Sequence, residues 1–464
     1  MSTPLHAATY VGDLGNGLIR RWSTAADQPK IAACMGGVFR DRADEAPNRR
    51  AMDVARVLMQ GDFPFMGPDD FAVVIDANQP EQPVVAYTCL WRLRWNYAGI
   101  PFSVGQPEMV ATNAEYRNRG LVRALFEMIH ARSAAEGHLV QAITGIPYFY
   151  RQFGYEFVLD LDGNLTVPLT AAPLQPDDTA EAYTLRLATL DDVPQVMALY
   201  ALPSSQSLVW HEAPAAFWRH FIASWDDPFV QQHGPLGTIL SMRLHMILDG
   251  SGNPVGYVAL AAKRWDEKLE VGALQLAADV NWQAAMPSLL RAFCRHARQL
   301  PPIESNDKAF EAIKFNFGRS HPLYAVLGDG VAKRYEPPYA WYLRVADAPA
   351  FLRHIAPVLE ARLARSLLTG YTGELKIDFY NGGLRLQFDQ GTLAAVEPWR
   401  APAYGDEADA GCPPLVFLQL LFGYRSLAEL RAFFPDVWAK PEAALFIDAL
   451  FPKRPSTVHP LSNV

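Results

Sequence analysis

Residues 110–125 read Val-Ala-Thr-Asn-Ala-Glu-Tyr-Arg-Asn-Arg-Gly-Leu-Val-Arg-Ala-Leu, and this stretch decides the fold. Val110, Ala111 and Thr112 close the short run EMVAT (residues 108–112), which reads as a strand. Arg117, Asn118, Arg119 and Gly120 make a turn. The period then changes: Leu121, Val122, Leu125, Met128 and Ile129 recur at helical spacing, and Gly137 stands where a helix stops. LVQAIT (139–144) returns to strand. Strand, helix and strand in this order imply two neighbouring parallel strands in an α/β sheet.

The turn also has chemistry to offer. The first N–H groups of a helix lack intrahelical partners and sit at the positive end of its dipole, which suits a pyrophosphate. Gly120 lets a phosphate approach the backbone, and Arg117, Arg119 and Arg123 bring positive charge. The G-x-x-x-x-G-K pattern of a Walker loop is absent from it. Taken alone, the same residues describe a surface turn with solvated arginines ahead of an amphipathic helix.

Working outward, FAVVID (71–76) and PVVAYTCLWRLRW (83–95) read as strands. AAPLQPDDT (171–179) is polar and proline-rich and marks a boundary. A second α/β stretch opens at Tyr183 with a strand and a helix, Asp191 and Asp192 standing at the helix start. PVGYVALAA (254–262) and LEVGALQL (269–276) read as its strands and Pro287–Leu300 as the helix after them. The order repeats that of the first stretch, as an internal duplication would. A third region starts near Trp341, with a helical pattern from Ala350 to Leu368. ELKIDF and LRLQF then flank Tyr380-Asn381-Gly382-Gly383 as a β-hairpin, and helices follow from Pro414 to Phe451.

Bulk properties narrow the class. The chain has 464 residues, enough for about three domains, with 50% hydrophobic and 19% charged residues. A net charge of −8 offers no basic footprint for nucleic acid. Cys34, Cys89, Cys294 and Cys412 form no C-x-x-C pair, so neither zinc nor a disulfide framework is expected, and reduced thiols in a cytoplasmic protein are. The N-terminus lacks the pattern of a signal peptide, and no apolar run reaches membrane-spanning length, so no membrane partner is expected.

The turn resembles motif A of the GNAT superfamily of N-acetyltransferases, Q/R-x-x-G-x-G/A, here Arg117-x-x-Gly120-x-Val122, with Val122 in place of the small residue. GIPYFYRQFGY (145–155) resembles the family signature Y-x-x-F-G-Y/F through Tyr150, Phe153, Gly154 and Tyr155. The resemblance implies acetyl-CoA as cosubstrate and no metal. Val110, Ala111 and Thr112 would hold the pantetheine arm. The turn with Arg117, Asn118, Arg119, Gly120, Leu121, Val122 and Arg123 would hold the pyrophosphate, with Gly145 and Ile146 beside the cofactor. Tyr150 would protonate the departing thiolate, and Glu108 is the generic candidate for the base. His130 and His138 read as surface residues.

The whole layout resembles the enhanced-intracellular-survival (Eis-like) acetyltransferases. This implies an α/β chain of two tandem GNAT-like mixed-sheet domains and a sterol-carrier-protein-like α+β domain: a catalytic domain at 1–170, a degenerate second one at 180–342, and the last at 343–464. AADVNWQAAMPSLL (277–290) lacks an arginine–glycine turn, so no cofactor is expected in the second domain. The family's base is the C-terminal carboxylate, here Val464, although the tail ends Leu461-Ser462-Asn463-Val464 without the family's aromatic residue, which keeps Glu108 as the fallback. The resemblance further implies a homo-oligomer, a hexamer, and a primary-amine acceptor: an aminoglycoside, a polyamine or a lysine side chain. Asp41, Trp91 and Trp95 are candidates for the acceptor pocket and equally for loop and core. The alternative function is a catalytically silent protein carrying a hydrophobic ligand or partner on its C-terminal domain.

Overall fold

The computed structural model describes the chain except residues 1–2, 41, 43, 162, 174–179, 229, 231–241, 265–266, 301–308, 319–320, 329–330, 332–333, 403–406, 457 and 459–464. Val464 and Asp41, both named above, lie outside the described residues, as does most of the proline-rich stretch at 171–179.

Seven strands carry the chain to residue 161: β1 (Val11–Gly15), β2 (Leu18–Trp22), β3 (Phe71–Asp76), β4 (Val84–Tyr97), β5 (Ile100–Thr112), β6 (Val140–Ile143) and β7 (Glu156–Leu161). Next come β8 (Asn164–Pro168), β9 (Thr184–Leu187), β10 (Val209–His211), β11 (Met242–Leu248), β12 (Pro254–Ala261), β13 (Lys268–Leu276), β14 (Ala312–Asn316), β15 (Arg334–Glu336) and β16 (Tyr339–Arg344). The last five are β17 (Gly373–Asp378), β18 (Gly383–Asp389), β19 (Thr392–Pro398), β20 (Ala410–Gly411) and β21 (Trp438–Ala439).

They build three sheets. The first runs β1-β2-β3-β4-β5-β6-β16-β7, with β10 added beside β4. The second runs β15-β8-β14-β13-β12-β11-β9 and the third β19-β18-β17-β20-β21. The first two exchange strands: β8 follows β7 directly yet lies in the second sheet, whereas β16 returns to the first sheet between β6 and β7. Sheet hydrogen bonding therefore crosses the lines 1–170, 180–342 and 343–464, and that division is kept as a proposal.

The expected strand–helix–strand unit is present. β5 leads into α3, a helix over Leu121–Ala135, which leads into β6, and β5 and β6 run parallel. β4 is buried along nearly its whole length because both its faces are covered. Odd positions such as Cys89, Trp91 and Trp95 belong to the main core, Trp91 packing with Phe63 and Phe65 and Trp95 with Phe102 and Trp341, while Leu90 packs in a second cluster with Leu125, Met128 and Ile129 of α3. Each fully buried aromatic contributes on the order of 2 kcal/mol of apolar burial. Trp91 and Trp95 are 1% and 0% exposed and serve as core. The third region shares this core: Tyr97 donates from its hydroxyl to the Leu421 carbonyl at 2.6 Å and packs edge-on against Phe351 and Phe422.

Several elements differ from the sequence reading. The strand expected at 108–112 begins at Ile100, since Gly105 and Pro107 are tolerated where β4 supplies the pairing. The helix expected from Pro287 starts at Trp282, capped by Asn281; Pro287 forgoes one backbone bond, and the buried face of Ala285, Leu289, Leu290 and Phe293 carries the helix past it. The pattern at 350–368 divides into two helices, Ala348–His354 and Ala356–Ala364, because Pro357 cannot donate into a continuous ladder.

Candidate active site

The site begins where β5 and β6 part. Their parallel pairing covers Val104–Val140 and Gly105–Gln141, and β5 then continues alone on that side to Thr112. A bulge against β4, with Met109 at φ 53°, turns the strand within the splay. Val110, Ala111 and Thr112 lie on this free stretch, and the opening is the kind of edge along which an amide-bearing chain can lie.

Below the opening, α3 starts without a side-chain cap. Its N-cap is Gly120 at φ 74°, following Asn118 at φ 61°. A side chain at Gly120 would meet nothing within 4 Å, so space and the left-handed backbone both exist at the helix mouth. The arginines are posted around it. Arg117 reaches back to the Thr112 carbonyl at 3.4 Å. Arg119 donates to the Glu115 carbonyl at 2.9 Å and lies over Tyr116. Arg123 donates to Gln152 at 2.9 Å and lies over Phe153. Uncapped N–H groups, a glycine and three arginines fit a pyrophosphate. Leu121 anchors the helix in the core, and Val122 packs with Tyr150 and Phe126 without closing the turn. A cleft of about 810 Å³ opens beside the turn, lined by Cys34, Val38 and Lys30 on one side and Asn113, Ala114 and Arg117 on the other.

Tyr150 stands at the inner end of the opening, on a short 3₁₀ turn over Phe149–Phe153. Its ring packs among Phe126, Phe149, Tyr155 and Tyr342, and its hydroxyl has no hydrogen-bond partner among the described residues. Burial, reinforced by Glu108 nearby, pushes the phenol above its ordinary range, so it is protonated at neutral pH. Glu108 comes from β5 and accepts from Gln106 Nε2 at 2.7 Å. Burial pushes its carboxyl up to about 7, with the Gln106 bond opposing. The structure thus brings a phenol and a carboxyl group from two motifs near one another.

Gly145 and Ile146 line the loop between β6 and this turn, and β16 holds that loop. Tyr339 donates from its hydroxyl to the Gly145 carbonyl. The Tyr148 N–H donates to Tyr342 Oη at 2.6 Å, which itself lies 3.5 Å from the Ile146 carbonyl. Tyr148 sits at φ 68°, a conformation this anchoring sustains. The sequence reading missed Tyr339, Tyr342 and Gln106. The two tyrosines arrive from almost 200 positions away, and no local pattern announces a strand that crosses between sheets. Gln106 alone was within reach, two residues before Glu108 on the same strand face.

His130 and His138 are not surface residues. His130 is half-buried with Nε2 2.9 Å from Tyr155 Oη, and burial lowers it to about 3. His138 Nδ1 lies 3.1 Å from Ser133 Oγ with its side chain largely covered. Among the described residues no helix is long and apolar enough to cross a membrane, and no group of three or more His, Cys, Asp or Glu could hold a metal ion.

Residues 20–158 match the family described as acetyltransferase (GNAT) domain. That segment spans β2 to β7 and contains the splay, the turn, Glu108 and Tyr150. It marks the N-terminal domain as an acetyltransferase domain, and the chain as an enzyme of the acyltransferase class. No curated protein matches the chain in sequence. Solved structures resemble nearly its whole length. A GCN5-related N-acetyltransferase from Anabaena variabilis superposes with a TM-score of 0.64 at 14% identity, over 95% of this chain and 99% of that one. One from Kribbella flavida gives 0.60 at 18%, over 95% and 99%. Eis1 from Mycobacterium abscessus gives 0.55 at 17%, over 94% and 98%. At these identities the likeness is one of fold.

Proposed function

We propose that this chain is an acetyl-CoA-dependent N-acetyltransferase that passes the acetyl group directly to a primary amine. One observation carries the reading: the uncapped, glycine-led start of α3 follows the β5 stretch that parts from β6, and Glu108 of that stretch lies near enough to Tyr150 to bear on its phenol. Val110–Thr112 hold the pantetheine arm, and residues 117–123 hold the pyrophosphate. The bound cosubstrate supplies a thioester carbonyl and a thiolate leaving group. The chain supplies the rest. Backbone N–H groups of β5 past Gly105 face the developing oxyanion. The Tyr150 hydroxyl gives its proton to the sulfur as the C–S bond breaks and the C–N bond forms. Glu108, with its carboxyl near neutrality, takes the proton of the incoming ammonium.

Val464, the base that the resemblance names ahead of Glu108, is the other candidate, and the tail can be followed as far as residue 458. Leu208 N–H donates to the Pro455 carbonyl at 2.9 Å, Val209 N–H to Ser456 Oγ at 3.2 Å, and Val458 is buried, so the tail is tied to β10 on the catalytic sheet. An aminoglycoside, polyamine or lysine-like acceptor, a sterol-carrier-like third domain and a homo-oligomer of the Eis-like kind belong to the same proposal. Thiol release from acetyl-CoA over a panel of such amines tests it. Release with none of them, by a protein that binds acetyl-CoA, sinks the transferase reading.

A further inference from the structure

The second sheet contains a cleft built like the first but finished differently. β13 and β14 are parallel from Lys268–Ala312 to Val271–Phe315, after which β13 runs on to Leu276 paired with β12 only. The helix Trp282–Gln299 follows, as α3 follows β5. Between the parted strands lies a cavity of about 440 Å³, bounded by Tyr200, Trp210, Tyr257, Trp282, Phe317 and His321 among others.

Each feature that suits the first cleft to acetyl-CoA is closed off here. The helix start is capped: Asn281 accepts from Gln283 N–H at 2.9 Å and from Ala284 N–H at 3.2 Å, which takes up two of the donors that Gly120 leaves open in α3. Carbonyls on this stretch of β13 are satisfied by the chain's own side chains. His321 Nε2 lies 2.9 Å from the Leu274 carbonyl, and Gln275 Nε2 donates to the Leu276 carbonyl at 2.7 Å. His321 Nδ1 accepts from Leu323 N–H, which fixes the ring as the neutral Nε2–H form. None of the residues lining the cavity carries a formal charge. A nucleotide diphosphate would find no counter-charge in this lining.

The cavity nonetheless stays open, within the size range of small-molecule pockets. Among its polar groups, Tyr257 is 2% exposed, lines the cavity, and has a hydroxyl with no hydrogen-bond partner among the described residues. Aromatic walls favour a flat ring placed against them or edge-on to them.

We propose that this cleft is a binding site for an uncharged aromatic small molecule that accepts a hydrogen bond from Tyr257. The site is separate from the acetyltransferase site and does not depend on it.

Prodan, an uncharged naphthalene carrying a ketone oxygen, tests this on the full chain. We expect saturable binding with blue-shifted emission at one site per chain, unaltered by saturating acetyl-CoA or by Gly120→Glu. Ala278→Trp, at the rim, should abolish it while leaving the melting temperature unchanged. Tyr257→Phe should weaken it about tenfold and shift the emission further to the blue, since one hydrogen bond to the ketone is lost. Absence of saturable binding, binding indifferent to Ala278→Trp, or displacement by acetyl-CoA would overturn the proposal.

Discussion

Gly145 faces Tyr150 so closely that a Cβ there would lie 3.2 Å from the tyrosine Cε2 and 3.3 Å from its Oη. Gly145 also sits at φ 133°, so any side chain is strained there twice over. The loop and the proposed acid are therefore fitted to one another. We expect Tyr150→Phe to lower kcat by about a hundredfold, the lower end of what a positioned acid supplies. Acetyl-CoA binding should hardly change. Gly145→Ala should imitate it by displacing the ring. Steady-state kinetics beside calorimetric affinities check both, and an unchanged kcat in Tyr150→Phe removes the residue from the mechanism.

The base has two candidates, and pH separates them. Because burial holds Glu108 at about 7, activity that needs its ionised form should rise through pH 7. Glu108→Gln should remove that limb and most of the rate. Deleting residues 462–464 should leave both in place if Glu108 is the base, and remove them if the terminal carboxylate of Val464 is. The sign for stability follows from the same shift. The folded carboxyl holds its proton to a higher pH than the unfolded one, so its contribution is complete below about 4.5 and is lost as pH rises through 7. Glu108→Gln should therefore raise the melting temperature more at pH 8 than at pH 5.

Tyr342 links two segments 194 positions apart through one hydroxyl. Tyr342→Phe removes the partner of the Tyr148 N–H, a hydrogen bond worth about 1 kcal/mol. A lowered melting temperature and a reduced kcat, with acetyl-CoA still bound, are expected. Full stability in this variant would show that the loop does not rely on β16.

Acid should unfold the protein early. His211, His245 and His321 are each lowered by burial to about 4 and His130 to about 3. The unfolded chain binds these protons first, so stability present above pH 6.5 is lost as pH falls towards 4. Neither ring nitrogen of His211 has a partner among the described residues, and His211→Phe should flatten that decline. Melting curves across this range decide it; an unaltered slope contradicts the assignment.

Sequence carried the local parts of this account well. The change of period at Leu121, the Arg117–Gly120 turn and the Tyr150 signature are short-range patterns, and each lies where its spacing placed it. What stayed hidden is long-range. Nothing between Asn164 and Pro168 tells that the strand leaves its neighbours for another sheet, and nothing in YAWYLR (339–344) tells that it comes back. Hydrophobic alternation specifies that a strand has a buried face, and not which sheet supplies it. His130 and His138 read as surface residues because polar side chains on a helix usually are; here aromatic and hydroxyl neighbours enclose them.

The proposed activity depends on the open start of α3 receiving the cosubstrate. Titration calorimetry of acetyl-CoA into the wild-type chain and Gly120→Glu tests it most directly. We expect one site per chain, lost in the variant because a carboxylate then occupies the pyrophosphate position. Absence of binding in the wild type, or equal binding in both proteins, would contradict it.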